Sequence, residues 1–134
     1  MAVTGSCLCG SVRFSVDPAP TAVYFCHCGQ CRKAQGTAFA SSVPVLKSAF
    51  TLYEGAEFLR SYRATPSKAR WFCGRCGAPL YSEVDGSDTL RLRAGALDDS
   101  SMLVPAAHIF VAGKANWYTI NDDLPQFPGR EPGR

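Results

Sequence analysis

Residues 25–33 read Phe25-Cys26-His27-Cys28-Gly29-Gln30-Cys31-Arg32-Lys33, a CxCxxC cluster. Thiols spaced one or two residues apart can chelate a single soft cation. Outward from this cluster lie Cys7 and Cys9 as CxC and Cys73 and Cys76 as CxxC, and the three windows together hold all seven cysteines of the chain. Seven thiolates suffice for one closed four-sulfur zinc site and a second site with three protein ligands. Spacing alone leaves two ways of sharing them: the closed site combines the two outer pairs, or it takes one sulfur from the central cluster. A zinc with three protein ligands keeps one coordination position open, and chemistry takes place at an open position.

A disulfide framework fits the pattern poorly. The cysteine count is odd, and residues 1–10 lack the basic and apolar regions of a secretory signal, so an oxidising compartment is not implied and a cytoplasmic location is expected. Plain core thiols would not fall into three tight windows. Each window also carries a Cys-Gly step: Cys9-Gly10, Cys28-Gly29, and Cys73-Gly74 with Cys76-Gly77. Glycine beside a ligand lets the backbone take positive φ and turn amide N–H groups toward sulfur.

At 134 residues the chain can bury one core, and with Gly 12 and Pro 9 it is rich in loops, the situation in which a metal staple helps most. The longest apolar run, residues 103–113, is too short for a membrane span and contains Pro105 and His108, so no membrane partner is expected. The formal charge of +3 counts each thiol as neutral. Seven thiolates remove seven charges and two Zn²⁺ return four, which brings the loaded protein to zero. With basic residues scattered as well, no nucleic-acid partner is expected.

Short strands dominate the pattern. Residues 11–16 alternate polar and apolar, placing Val12, Phe14 and Val16 on one face, and residues 17–20 break the run with two prolines. Further strands are expected at residues 22–26, 38–46, 50–53, 58–63, 79–84, 89–93 and 108–111, with one or two helical turns over 28–35 ended by Gly36. Residues 54–57 read as the loop of a hairpin joining the strands at 50–53 and 58–63. A single domain over residues 1–124 followed by a flexible C-terminal tail, residues 125–134, is the resulting organisation.

Four ordered blocks, GSCLCGSVRF, FCHCGQCRKAQGTAFA, WFCGRCGAPLY and AAHIFVAGKANWYTI, resemble the glutathione-dependent formaldehyde-activating enzyme family, also called the GFA or centromere-protein-V-like domain. The resemblance runs from about Gly5 to Pro125. It implies a mostly β fold, an Mss4-like β-tent of short antiparallel strands stapled by two zinc ions. It further implies that Cys7, Cys9, Cys73 and Cys76 form the structural zinc site and that Cys26, Cys28 and Cys31 form the catalytic-type site. The activity implied is that of a carbon–sulfur lyase: reversible addition of a small thiol such as glutathione to a small aldehyde, giving S-hydroxymethylglutathione in the family's named reaction. A zinc-stabilised protein-interaction module without catalysis is the alternative, and it would need an exposed apolar patch rather than a cleft beside Cys31.

Other residues carry weaker expectations. His108, in the fourth block, is a candidate proton shuttle, although a histidine on an apolar strand is more often a hydrogen-bonded core residue. His27 should point away from its cysteine neighbours, because side chains alternate along an extended segment, and should be half-exposed. Arg32 and Lys33 are the cations nearest in sequence to the CxCxxC cluster and so the first candidates for a substrate carboxylate.

Overall fold

The computed structural model describes residues 1–134. A three-stranded antiparallel sheet is built from β1 (Val3–Ser6), β2 (Arg13–Val16) and β5 (Phe50–Glu54), in the order β1-β2-β5. The other strands are β3 (Ala22–Cys26), β4 (Ala40–Leu46), β6 (Leu59–Thr65), β7 (Lys68–Cys73), β8 (Pro79–Val84), β9 (Thr89–Arg93) and β10 (Val104–Ile109). They form a seven-stranded sheet in the order β10-β3-β4-β9-β8-β7-β6. One helix, α1 (Gly29–Gln35), links β3 to β4. No helix is long and apolar enough to cross a membrane.

The core lies where the two sheets meet. Val12, Phe14 and Val16 from the small sheet pack with Val43, Val45, Leu80, Leu90 and Leu92 from the large one. Phe50 joins them, with its ring 5.3 Å from that of Phe14 and 5.0 Å from that of Tyr81. The period-2 alternation of β9 settles the sidedness of the large sheet: Leu90 and Leu92 enter the core, while Arg91 and Arg93 stand on the opposite face.

Two expectations change. The chain at residues 50–63 is not a hairpin, because β5 pairs with β2 in the small sheet and β6 pairs with β7 in the large one. Gly55, at φ +87°, turns the backbone there so tightly against Ser11 that a Cβ would lie 1.9 Å from the Ser11 carbonyl oxygen. β10 runs parallel to β3, so the large sheet is mixed rather than antiparallel throughout. Residues 125–129 run beside the end of β10: the N–H of His108 donates to Pro125 O, that of Phe127 to His108 O and that of Phe110 to Gly129 O, each at 2.9 Å. β1, with its Val-Thr-Gly-Ser sequence, shows too little apolar alternation to be read as a strand and is held by its pairing with β2.

Gly55→Ala combines a left-handed backbone with a clash against rigid main chain, and it should cost about 2–5 kcal/mol in chemical denaturation. Gly86→Ala, with similar φ but open space around it, should cost only about 1–2 kcal/mol. Equal losses in the two variants would contradict the close approach of Gly55 to Ser11.

Candidate metal centre and cationic cleft

Cys7 and Cys9 lie in the turn between β1 and β2, while Cys73 ends β7 and Cys76 lies in the turn that leads to β8. The two turns are built alike. The N–H of Cys7 donates to Val12 O and that of Cys73 to Ala78 O; Gly10 N–H returns to Cys7 O and Gly77 N–H to Cys73 O. Gly10 and Gly77 take φ values of 78° and 79°, as such a return requires. Backbone amides point at sulfur in both turns, from Val12 to Cys7 Sγ at 3.3 Å and from Arg75 to Cys73 Sγ at 3.4 Å.

The four sulfurs lie within 4.8 Å of one another. Cys7 Sγ is 3.6 Å from Cys9 Sγ, and Cys9 Sγ is 3.9 Å from Cys73 Sγ. A sulfur tetrahedron around zinc, with Zn–S of about 2.3 Å, has edges of about 3.8 Å, so the donor set fits the ion in kind and in size. All seven cysteines are free thiols. Hydrogen bonding to the Ser11 side chain and backbone pulls Cys9 down to about 6, which favours the thiolate that a metal needs.

The second cluster is contiguous in sequence. Cys26 ends β3, Cys28 caps α1 and Cys31 sits in its first turn, where the Cys31 N–H donates to Cys28 Sγ at 3.3 Å. Gly36, in the left-handed region at φ 66°, ends the helix by donating to Arg32 O. The three sulfurs lie within 4.8 Å of one another, with Cys26 and Cys31 buried against Ala40 and Ile109. Hydrogen bonds from Cys26 and Cys28 hold Cys31 far below the ordinary thiol range, and the nearby Arg70 guanidinium adds to this; the same contacts push Cys26 up. Arg70 Nη2 is 3.8 Å from Cys31 Sγ.

Behind this turn runs a chain of three side chains, two buried imidazoles and the exposed carboxylate of Asp122. His27 Nε2 and His108 Nδ1 are 2.7 Å apart, and His108 Nε2 is 2.9 Å from Asp122 Oδ2. Both imidazoles are almost wholly buried, so His27 points away from the sulfurs, as alternation requires, but is not half-exposed. An ionised Asp122 takes the Nε2–H of His108, which leaves His108 Nδ1 to accept from the Nε2–H of His27. Burial, together with His108, pushes His27 down to about 4, so it is neutral at neutral pH, and its Nδ1 has no partner. The hydrogen bond that Asp122 accepts from His108 holds that carboxyl below the usual range.

Cys26, Cys28 and Cys31 open onto a cleft of about 440 Å³ floored by the polar face of the large sheet. Lys68 and Arg70 from β7, Arg91 and Arg93 from β9, and Arg130 and Arg134 from the C-terminal segment line it. Neither Arg32 nor Lys33 does: Arg32 Nε donates to Gly113 O at 3.1 Å, and Lys33 is exposed on α1. His108 is also absent from the lining. The cleft cations were foreshadowed only by alternation, in Lys68-Ala69-Arg70 and Leu90-Arg91-Leu92-Arg93, where an apolar residue for the core stands between each pair of cations. Nothing local marks which strand faces which cysteine cluster. Arg93 is 6% exposed and forms no ion pair; it donates to Ser82 Oγ at 2.8 Å, and burial pushes its guanidinium down.

The description "Glutathione-dependent formaldehyde-activating enzyme" belongs to the family model that matches residues 2–113. A protein of Halomonas elongata named "Putative glutathione-dependent formaldehyde-activating enzyme" is 32% identical over 129 residues, covering 90% of this chain and 82% of the relative. A crystal structure of a Rhodobacter sphaeroides protein superposes with a TM-score of 0.60 at 23% identity, covering 71% of this chain and 87% of that one, and shows a shared fold. With its cysteine clusters gathered as such a domain needs them and a family match over most of its length, the chain belongs to the glutathione-dependent formaldehyde-activating enzyme family.

Proposed function

We propose that the protein is a zinc-dependent enzyme of the carbon–sulfur lyase type that reversibly adds a small, glutathione-like thiol to a small aldehyde. The observation that carries this reading is the three-cysteine cluster opening onto a cleft, one ligand short of a closed tetrahedron. An interaction module has no use for that arrangement. Cys7, Cys9, Cys73 and Cys76 are assigned to a structural zinc, and Cys26, Cys28 and Cys31 to a catalytic one.

Zinc held by the triad supplies an open position that lowers the pKa of an entering thiol toward neutrality. The chain's own residues do the rest. The new carbon–sulfur bond forms as the sulfur lone pair attacks the carbonyl carbon, the π pair moves to oxygen, and the thiol proton ends on that oxygen. Arg70, beside Cys31, places a fixed cation where negative charge is carried and then transferred. His108 and His27 act from behind, fixing the turn that carries Cys26 and Cys28 rather than meeting the substrate.

Protein purified without chelator should hold up to two zinc ions per chain by elemental analysis, and the three-thiol site should yield its metal to a chelator first. Iron with a cluster absorption spectrum would overturn the assignment. Cys76→Ser should unfold the domain or make it insoluble, because that cluster joins a turn of each sheet. Cys31→Ser should stay folded with one zinc fewer, and equal perturbation of both melts would contradict the division of roles.

Exchange NMR with glutathione and formaldehyde tests the activity. Hemithioacetal exchange should be faster with the protein than without it, and Cys31→Ser should remove the acceleration. Equal exchange rates in all three samples, with no thiol binding by calorimetry, would remove the enzymatic reading in favour of an interaction module.

A further inference from the structure

We propose that the last ten residues complete the substrate cleft, and that Arg130 and Arg134, with Arg91 and Lys68, form a subsite for the anionic end of a thiol remote from its sulfur. The proposal rests on the thiol-addition reading and adds the element that selects among thiols. The family match ends at residue 113, so this element lies beyond the part of the chain that the match describes.

Three sets of observations support it. First, the segment is anchored: backbone hydrogen bonds tie Pro125, Phe127 and Gly129 to His108, Phe110 and Val111 along β10. From there the chain reaches β9, where Glu131, 8% exposed, takes Arg91 Nη2 at 2.9 Å and Arg134 Nε at 2.7 Å. The strap therefore spans the cleft from one strand to another and is pinned at both ends.

Second, the charge is unbalanced. Six cations line the cleft, and Glu131 is the one carboxylate that pairs with any of them. Arg130 and Lys68 form no ion pair, and burial pushes Lys68 down. A half-buried cation such as Lys68 is costly without a counter-charge, whereas Arg130 and Arg134 stand exposed at the rim, where an arriving anion meets them first. The sulfur triad offsets cations at its own end, near Arg70, but not at the strap.

Third, the space continues past the triad. Lys68, Arg91, Arg130 and Arg134 also line an adjoining hollow of about 210 Å³, together with the hydroxyl-bearing Ser82, Ser87 and Thr89 and with Glu83, whose carboxylate is paired with Lys47. A substrate with its sulfur at Cys31 would therefore extend its far end among four cations, three hydroxyl residues and one carboxylate already held by Lys47. That chemistry recognises a carboxylate-bearing thiol and gives a neutral thiol nothing to hold.

The test is calorimetry on the full-length zinc-loaded protein with two probes. S-Methylglutathione carries both carboxylates but no thiol proton, and N-acetylcysteamine is a neutral thiol. Arg130→Ala removes a side chain that forms no ion pair and so leaves the anchors of the strap intact. The wild type should bind S-methylglutathione with an affinity that falls as salt rises. Arg130→Ala should weaken it at least about tenfold, and Arg130→Ala with Arg134→Ala further, while N-acetylcysteamine binding and the melting temperature hold. Arg130→Lys should recover part of the loss, and Arg63→Ala, at an exposed pair with Asp85, should change nothing. Unchanged S-methylglutathione affinity in the Arg130 and Arg134 variants would overturn the strap subsite and leave the thiol reading standing. Binding of N-acetylcysteamine alone would do the same. If neither probe nor glutathione binds the wild type, the thiol reading fails and the subsite falls with it.

Discussion

Four thiols from two hairpin turns, one in each sheet, meet in a single cluster, and the rest of the molecule is arranged around that meeting. Cys7 and Cys9 belong to the small sheet, Cys73 and Cys76 to the large one. Each pair sits in a turn of nearly the same hydrogen-bonding pattern, closed by a glycine in the left-handed region. Four sulfurs so close would repel one another as thiolates, and a thiophilic cation turns that repulsion into a bond between distant segments. Closing such a long loop removes more freedom from the unfolded chain than any link within the 26–31 segment. The core formed by Phe14, Val43, Leu80, Leu90 and Leu92 lies between the same two sheets, so apolar packing and the sulfur cluster draw them together.

With one face of the large sheet committed to that core, the other is free to do chemistry. Alternation along β7 and β9 sends Ala69, Leu90 and Leu92 inward and raises Lys68, Arg70, Arg91 and Arg93 on the far side. α1 brings Cys31 to this face, within 3.8 Å of an arginine four strands away from β3 in the sheet order. Thiols and cations thus share one cleft although they come from separate parts of the chain. The polarity of the site follows from the packing of the core beneath it.

The histidines show the same economy of position. His27 lies between two sulfur ligands in sequence, yet its ring is turned to the other side of the strand, where His108, Phe39 and Tyr118 enclose it. The line from Asp122 through His108 to His27 holds a neutral imidazole at the base of the CxCxxC turn. Such a group lies on the far side of the strand from the sulfurs of Cys26 and Cys28. The parallel pairing of β10 with β3 makes this possible, because it sets His108 beside Phe25, two residues from His27.

The cysteine windows, the glycines beside them and the alternation in residues 11–16 and 89–93 were legible in the chain because they are local: thiol spacing, positive φ and a period of two depend on neighbours a few residues away. The fold class and the two groups of metal-binding thiols follow from those signals together with the ordered family blocks. What the chain did not display is long-range. The separation of β5 from β6 into different sheets depends on Gly55 packing against Ser11, and the placing of residues 125–134 across the cleft depends on pairing with β10 and on a buried contact of Glu131 with Arg91. Arg32 and Lys33 stood nearest the CxCxxC cluster in sequence, but a helix turns successive side chains by about 100° and carried them off the cleft. Cations from β7, β9 and the C-terminal segment line the cleft instead, because proximity in a sheet is decided by strand order and register, which no stretch of sequence contains by itself.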